Sequence, residues 1–119
     1  GKLAETDLVR EGEIPIQSVD DMFIVQTENS IIKLRAEAPL MERFENDSLS
    51  YELFPKGIAV YGYTEEGKLE TQIIADNAKH LKFKDGRETW SAFGNVVVTN
   101  LINQEIMETD TLYWDQKNE

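Results

Sequence analysis

The chain has no cysteine, which excludes disulfide frameworks, thiolate zinc sites and thiol nucleophiles together. It has one histidine, His80. Any His-based triad would have to rest on it, no Gly-x-Ser-x-Gly elbow accompanies it, and a single histidine at a strand end reads as structural. Cations are scarce. Twelve Lys and Arg against 23 Asp and Glu leave a formal charge of −11, which argues against nucleic acid as a partner, because phosphate binding needs a basic surface. An anionic membrane surface would repel the chain for the same reason. No apolar run approaches the ~18 residues that span a bilayer, and no signal-type segment opens the sequence. The first residues are Gly1-Lys2 without a methionine, so an anchor or export signal is expected to have preceded them.

What is present is one domain's worth of chain: 119 residues, 40% of them hydrophobic, enough for one core and not for two. The acids are spread along the sequence, as on a solvated face. Carboxylate pairs for glycoside hydrolysis can be picked from Asp76, Glu108, Asp110 or Asp115, but with 23 acids almost any fold supplies such pairs. Asp20-Asp21 and Glu65-Glu66 lack the loop spacing of a calcium site. The sequence therefore assigns no catalytic residue, no metal ligand and no cofactor, and the chain is read as non-enzymatic.

The hydrophobic pattern has a period of two. Trp90, Ala92, Gly94, Val96 and Val98 alternate with polar Ser91 and Asn95, Asn100 to Gln104 breaks the run, and Ile106, Leu112 and Trp114 resume it. Earlier, Met22-Phe23-Ile24-Val25 and Ile31-Ile32-Lys33-Leu34 flank a polar turn at Thr27 to Ser30. Pro39 and Glu45 to Ser48 bracket a short segment, and Leu49, Tyr51 and Leu53 alternate after it. Pro55-Lys56-Gly57 permits a bend, across which Ala59, Tyr61 and Tyr63 continue the phase of Leu53. Glu65 to Lys68 and Asp85-Gly86 are further turns. Nine or ten short strands and no long helix predict an all-β antiparallel sandwich or jellyroll. Residues 1–15 are expected to be an irregular linker, with Lys2 to Gly12 either a short helix or loose, and residues 16–119 the β domain.

The pattern also repeats. Gly57 to Tyr61 overlies Gly94 to Val98 at an offset of 94 minus 57, or 37, and Leu34 to Ala38 resembles Ile73 to Ala78 at an offset of 39. Gly57 and Gly94 are the expected structural bends. By alternation the inward face comprises Ile32, Leu34, Leu53, Ala59, Tyr61, Ile73, Trp90, Ala92, Val96, Val98 and Leu112, either as a closed core or as the lining of a groove. Exposed edges of such a sheet invite strand addition.

Three segments carry a resemblance: Ala75-Asp76-Asn77-Ala78, then Trp90-x-Ala92-x-Gly94-Asn95-Val96-x-Val98, then Thr109-Asp110-x-Leu112-x-Trp114-Asp115. With the Leu34-x-Ala36 arm and the Gly57 strand, the stretch from Met22 to Asp115 resembles the OstA-like lipopolysaccharide-transport family. The first copy departs from the pattern, with Gly57-Ile58-Ala59 where the family has Gly-Asn-Val. The resemblance implies a single antiparallel, twisted and slightly open β-jellyroll built from internal repeats, whose apolar groove holds acyl chains. It further implies a periplasmic location, an inner-membrane anchor amino-terminal to this chain, and three partners: lipopolysaccharide, an inner-membrane Lpt ABC transporter, and an LptA-like bridge protein joined by edge-to-edge strand addition. A cell-surface structural or adhesive β-sandwich is the alternative from another class, and an acidic glycan hydrolase trails both.

Overall fold

A computed structural model describes residues 14–116; the expected amino-terminal linker falls almost wholly outside these described residues. The domain is all-β and antiparallel, and its topology is jellyroll-like. Eight strands occur among the described residues: β1 (Gln17–Glu28), β2 (Ile31–Glu45), β3 (Leu49–Phe54), β4 (Ile58–Tyr63), β5 (Leu69–Ala75), β6 (Asn77–Phe83), β7 (Glu88–Asn100) and β8 (Glu105–Gln116). The nine or ten short strands expected from the turn signals are thus fewer and longer. Pro39 does not end β2, which runs for 15 residues through it. Proline only withholds one donor, and the β1–β2 register simply passes over the Asp21–Pro39 position.

Register shows why four strands are long and four are short. The far half of β2 (Glu42 to Glu45) pairs with β3 and its near half (Leu34 to Glu37) with β4. In the same way β7 pairs with β6 through Glu88 to Phe93 and with β5 through Val97 to Asn100. The pairs β3/β4 and β5/β6 are therefore single long strands interrupted at Gly57 and Asp76. The molecule is a sheet six strands wide, doubled over along a line that crosses every strand near its middle. Unusual backbone collects on that line: φ is +53° at Asp21, +102° at Gly57, +84° at Gly94 and +49° at Asn95. The β7–β8 register slips by one residue between Phe93 and Val96 at the same level, as a β-bulge does where a strand bends.

Doubling the sheet brings its concave surfaces together. One cluster of buried residues draws Met41, Phe54, Ala78 and Ala92 from one half and Ala38, Ile58, Ala75 and Val96 from the other. Alanines flank the fold line at 36, 38, 75, 78 and 92, all of them buried, and their small side chains let the two halves approach. A second cluster, Phe44, Leu49, Tyr51 and Leu81, lies on the opposite face of the β2–β3–β6 region, with the Phe44 and Tyr51 rings stacked at 5.1 Å.

The turns follow residue chemistry. Asn29-Ser30 closes β1 onto β2 with φ of +54° and +66°, the two left-handed residues that a type I′ hairpin requires. Gly67 and Gly86 supply positive φ in the loops after β4 and β6. The Asn46 and Asn100 side chains accept hydrogen bonds from backbone N–H groups two and three residues on, as Asx turns do.

Candidate functional site

Cross-strand pairing assembles the concave surface row by row. Ile24 lies opposite Ala36, Ala36 opposite Val60, Val60 opposite Ile73, Ile73 opposite Val98, and Val98 opposite Met107. This apolar row crosses every strand of its half of the sheet. Its centre is covered, while its ends are open: Ile24 on β1 is 41% exposed and Met107 on β8 is 48% exposed. In the other half Phe54, Ala78, Ala92 and Leu112 form the matching row.

Of the residues expected to face inward, Ile73, Trp90, Ala92, Val96, Val98 and Leu112 belong to this concave cluster or pack against it. Leu34 shares the phase of Ala36, half-buried between Gln26 and Gly62. Four others do not face inward. Ile32 is exposed and pairs with Thr27 beyond a register shift at Gln26/Thr27. Leu53 packs on the second cluster, while its neighbour Phe54 fills the concave one. Ala59 and Tyr61 lie on the convex side, Tyr61 under the Arg35 guanidinium at 4.0 Å, and Ile58 and Val60 take the inward places. The phase does run unbroken across Gly57, from Phe54 to Ile58 and Val60. The face was misread because β3 is buried on both sides, so the Leu49-Tyr51-Leu53 alternation marks the second cluster rather than the first.

Gly57 and Gly94 both stand at the fold line. A Cβ on Gly57 would meet the Ala75 carbonyl oxygen at 3.2 Å. Gly94 accepts a backbone hydrogen bond from Asp76 N–H at 2.9 Å, and Asn95 Nδ2 donates to Asp76 Oδ2 at 2.8 Å, tying the β5–β6 corner to the β7 bend. On the β1, β2, β4 and β5 side of the line a cleft of about 500 Å³ opens, lined by Phe23, Ala59 and Ile74 among others, with Asp21, Glu37 and Lys56 around it.

Sequence reasoning missed a polar row on the concave side. Arg43, Glu52, His80, Trp90 and Trp114 are successive cross-strand neighbours on β2, β3, β6, β7 and β8. His80 is buried, with Nδ1 3.0 Å from Glu52 and Nε2 2.8 Å from Glu88, and its ring stacks on Trp90 at 4.1 Å. Arg43 donates to the same Glu52 carboxylate at 2.8 Å. The His80 hydrogen bond, reinforced by Arg43, outweighs the opposing effect of burial and holds the Glu52 carboxyl down at about 2. Trp90 continues the stack to Phe54 and Trp114. Nothing local in the sequence links 43, 52, 80 and 88; only strand register does. With both ring nitrogens engaged, His80 joins three strands. Among the described residues no three His, Asp or Glu side chains are placed so that they could hold a metal ion together.

The arrangement offers hydrophobic enclosure with open apolar ends. Neither a protein-family model nor a curated protein matches the chain.

Proposed function

We propose that this chain is a non-enzymatic lipid-transport bridge of the cell envelope, LptC-like in role. In this reading it shields the acyl chains of lipopolysaccharide in the concave face of its folded sheet. It receives them from an inner-membrane Lpt ABC transporter and passes them towards an LptA-like protein and the outer membrane. It works in the periplasm, held to the inner membrane by a segment amino-terminal to this chain. The observation that carries the reading is the row from Ile24 to Met107, apolar across every strand of its half of the sheet and exposed at both ends. A row of that kind can be continued by a neighbouring sheet. Each buried CH₂ of an acyl chain contributes about 0.8 kcal/mol, so two or three chains supply ample affinity without any bond being made or broken.

One observation favours a cell-surface structural or adhesive module instead. Phe54 and Val96, at 1% and 0% exposure, show that the two halves already fill the space between them, so lipid entry requires the halves to part. Titration of the purified chain with a fluorescent acyl lipid, followed by displacement with lipopolysaccharide, decides between the readings. Saturable, displaceable binding supports the bridge, and its absence supports the structural module.

A further inference from the structure

The second cluster is buried on a face that no other described strand covers. Tyr51, Leu49 and Leu81 are 0%, 1% and 1% exposed, and Phe44 is buried beside them. Phe44, Tyr51 and Leu81 are successive cross-strand neighbours on β2, β3 and β6, so they form one row on the outer side of the sheet. The apolar residues packed against that row, Leu53 and Phe83, stand on β3 and β6 themselves, and the Arg87 guanidinium lies over the Phe83 ring at 4.3 Å. On the outer side of the other half, Phe23 and Ile74 remain 59% and 41% exposed. Neighbours within one sheet cannot enclose a tyrosine that lies on its surface. A fully buried sheet face requires a further layer over it.

The amino-terminal residues are positioned to provide that layer. The backbone N–H of Ile16 donates to the Arg43 carbonyl at 2.8 Å, so the chain enters β1 beside Arg43, at the end of the sheet where the Phe44–Tyr51–Leu81 row lies. Thirteen residues precede Ile14. Even partly extended, they reach well beyond the roughly 15 Å, three strand spacings, that separates β1 from β6. Leu3, Ala4, Leu8 and Val9 are among them. The other residues outside the described span, Lys117, Asn118 and Glu119, include no apolar side chain.

We infer that the outer face of the β2–β3–β6 half is the docking site of this chain's own amino-terminal segment, with the apolar side chains between Leu3 and Val9 seated over Leu49, Tyr51 and Leu81 of the same molecule. An attached segment loses only the entropy of closing a short loop, whereas a separate partner also loses translational and rotational freedom. In the role proposed above, the segment that leads to the membrane anchor is thereby fixed to one half of the folded sheet, on the side away from the concave row. The docking follows from burial and chain reach, and it stands whether or not the chain binds lipid.

Because the chain has no cysteine, Thr6→Cys in the whole chain gives a single attachment point for a nitroxide spin label. Amide resonances of Ser50 to Glu52 on β3 and His80 to Lys82 on β6 are expected to lose most of their intensity and to regain it when the label is reduced. Those of Gly62 and Tyr63 on β4 and Glu70 and Thr71 on β5 are expected to keep theirs. Leu3→Asp with Leu8→Asp in the labelled chain should abolish the loss at β3 and β6, with circular dichroism confirming the fold. Loss confined to Ile16 to Val19, where the segment joins the sheet, loss centred on β4 and β5, or loss that survives the double substitution overturns the inference. A mixture of spin-labelled chain with unlabelled, isotope-enriched chain should show no loss; loss there places a second copy on the face and overturns it as well.

Discussion

Gly94 sits so close to Asp76 that a Cβ added to the glycine would stand 2.9 Å from the Asp76 Cβ. Its φ of +84° is also one that L side chains rarely adopt. Gly94→Ala should therefore lower stability by about 2–4 kcal/mol, strain and clash together. Gly57→Ala, at φ +102° with the nearest backbone oxygen at 3.2 Å, should cost about 1–3 kcal/mol. Gly62→Ala, whose nearest neighbour is the Thr71 Cβ at 3.7 Å, is the control and should stay within about 1 kcal/mol. Urea midpoints order the three; if Gly94→Ala melts with wild type, the doubled-over sheet is wrong at that corner.

Glu52 makes stability pH-dependent in a defined direction. Its carboxyl is held at about 2, against an ordinary 4.5, chiefly by His80. A depressed carboxyl contributes stability that is fully present above about 4.5 and lost as pH falls through about 2. The size of that contribution is on the order of 2–3 kcal/mol. Unfolding free energies of wild type and Glu52→Gln, measured across that window, should converge towards its acid end. Parallel curves would show that the Glu52 contacts do not control it.

The lipid reading depends on which phase faces inward. A photo-crosslinking residue at Val60, Ile73 or Val98 should capture lipopolysaccharide, and one at Ala59, Ile74 or Val97 should capture little, because one residue's shift flips the side chain to the other face. Equal capture in both sets would remove the concave row as the binding surface.

The β1–β2 hairpin is closed by a residue unsuited to its backbone. Ser30 holds φ +66° after Asn29 at +54°, and a type I′ turn prefers Asn-Gly. Ser30→Gly should raise stability by about 0.5–1 kcal/mol, seen as a higher thermal midpoint. A lower midpoint would mean that the hydroxyl contributes more than the strain costs.

Much of this protein is legible without coordinates. Period-two patterning specifies strands because successive side chains in an extended chain point to opposite faces. Asn29-Ser30, Gly67 and Gly86 mark turns because few residues tolerate positive φ, and the repeated glycine at 57 and 94 marks a recurring corner. All of these are local properties of backbone sterics. Which face is concave is not local: Leu49, Tyr51 and Leu53 are as apolar as Phe54, Ile58 and Val60, and only the doubling of the sheet decided that the second set meets the opposite half. Similarly, Glu52, His80 and Glu88 became one cluster because β3 pairs with β6 and β6 with β7. The β2–β3 pairing set Arg43 on the same carboxylate. Register between strands is set by long-range packing, and a short window of sequence carries no trace of it.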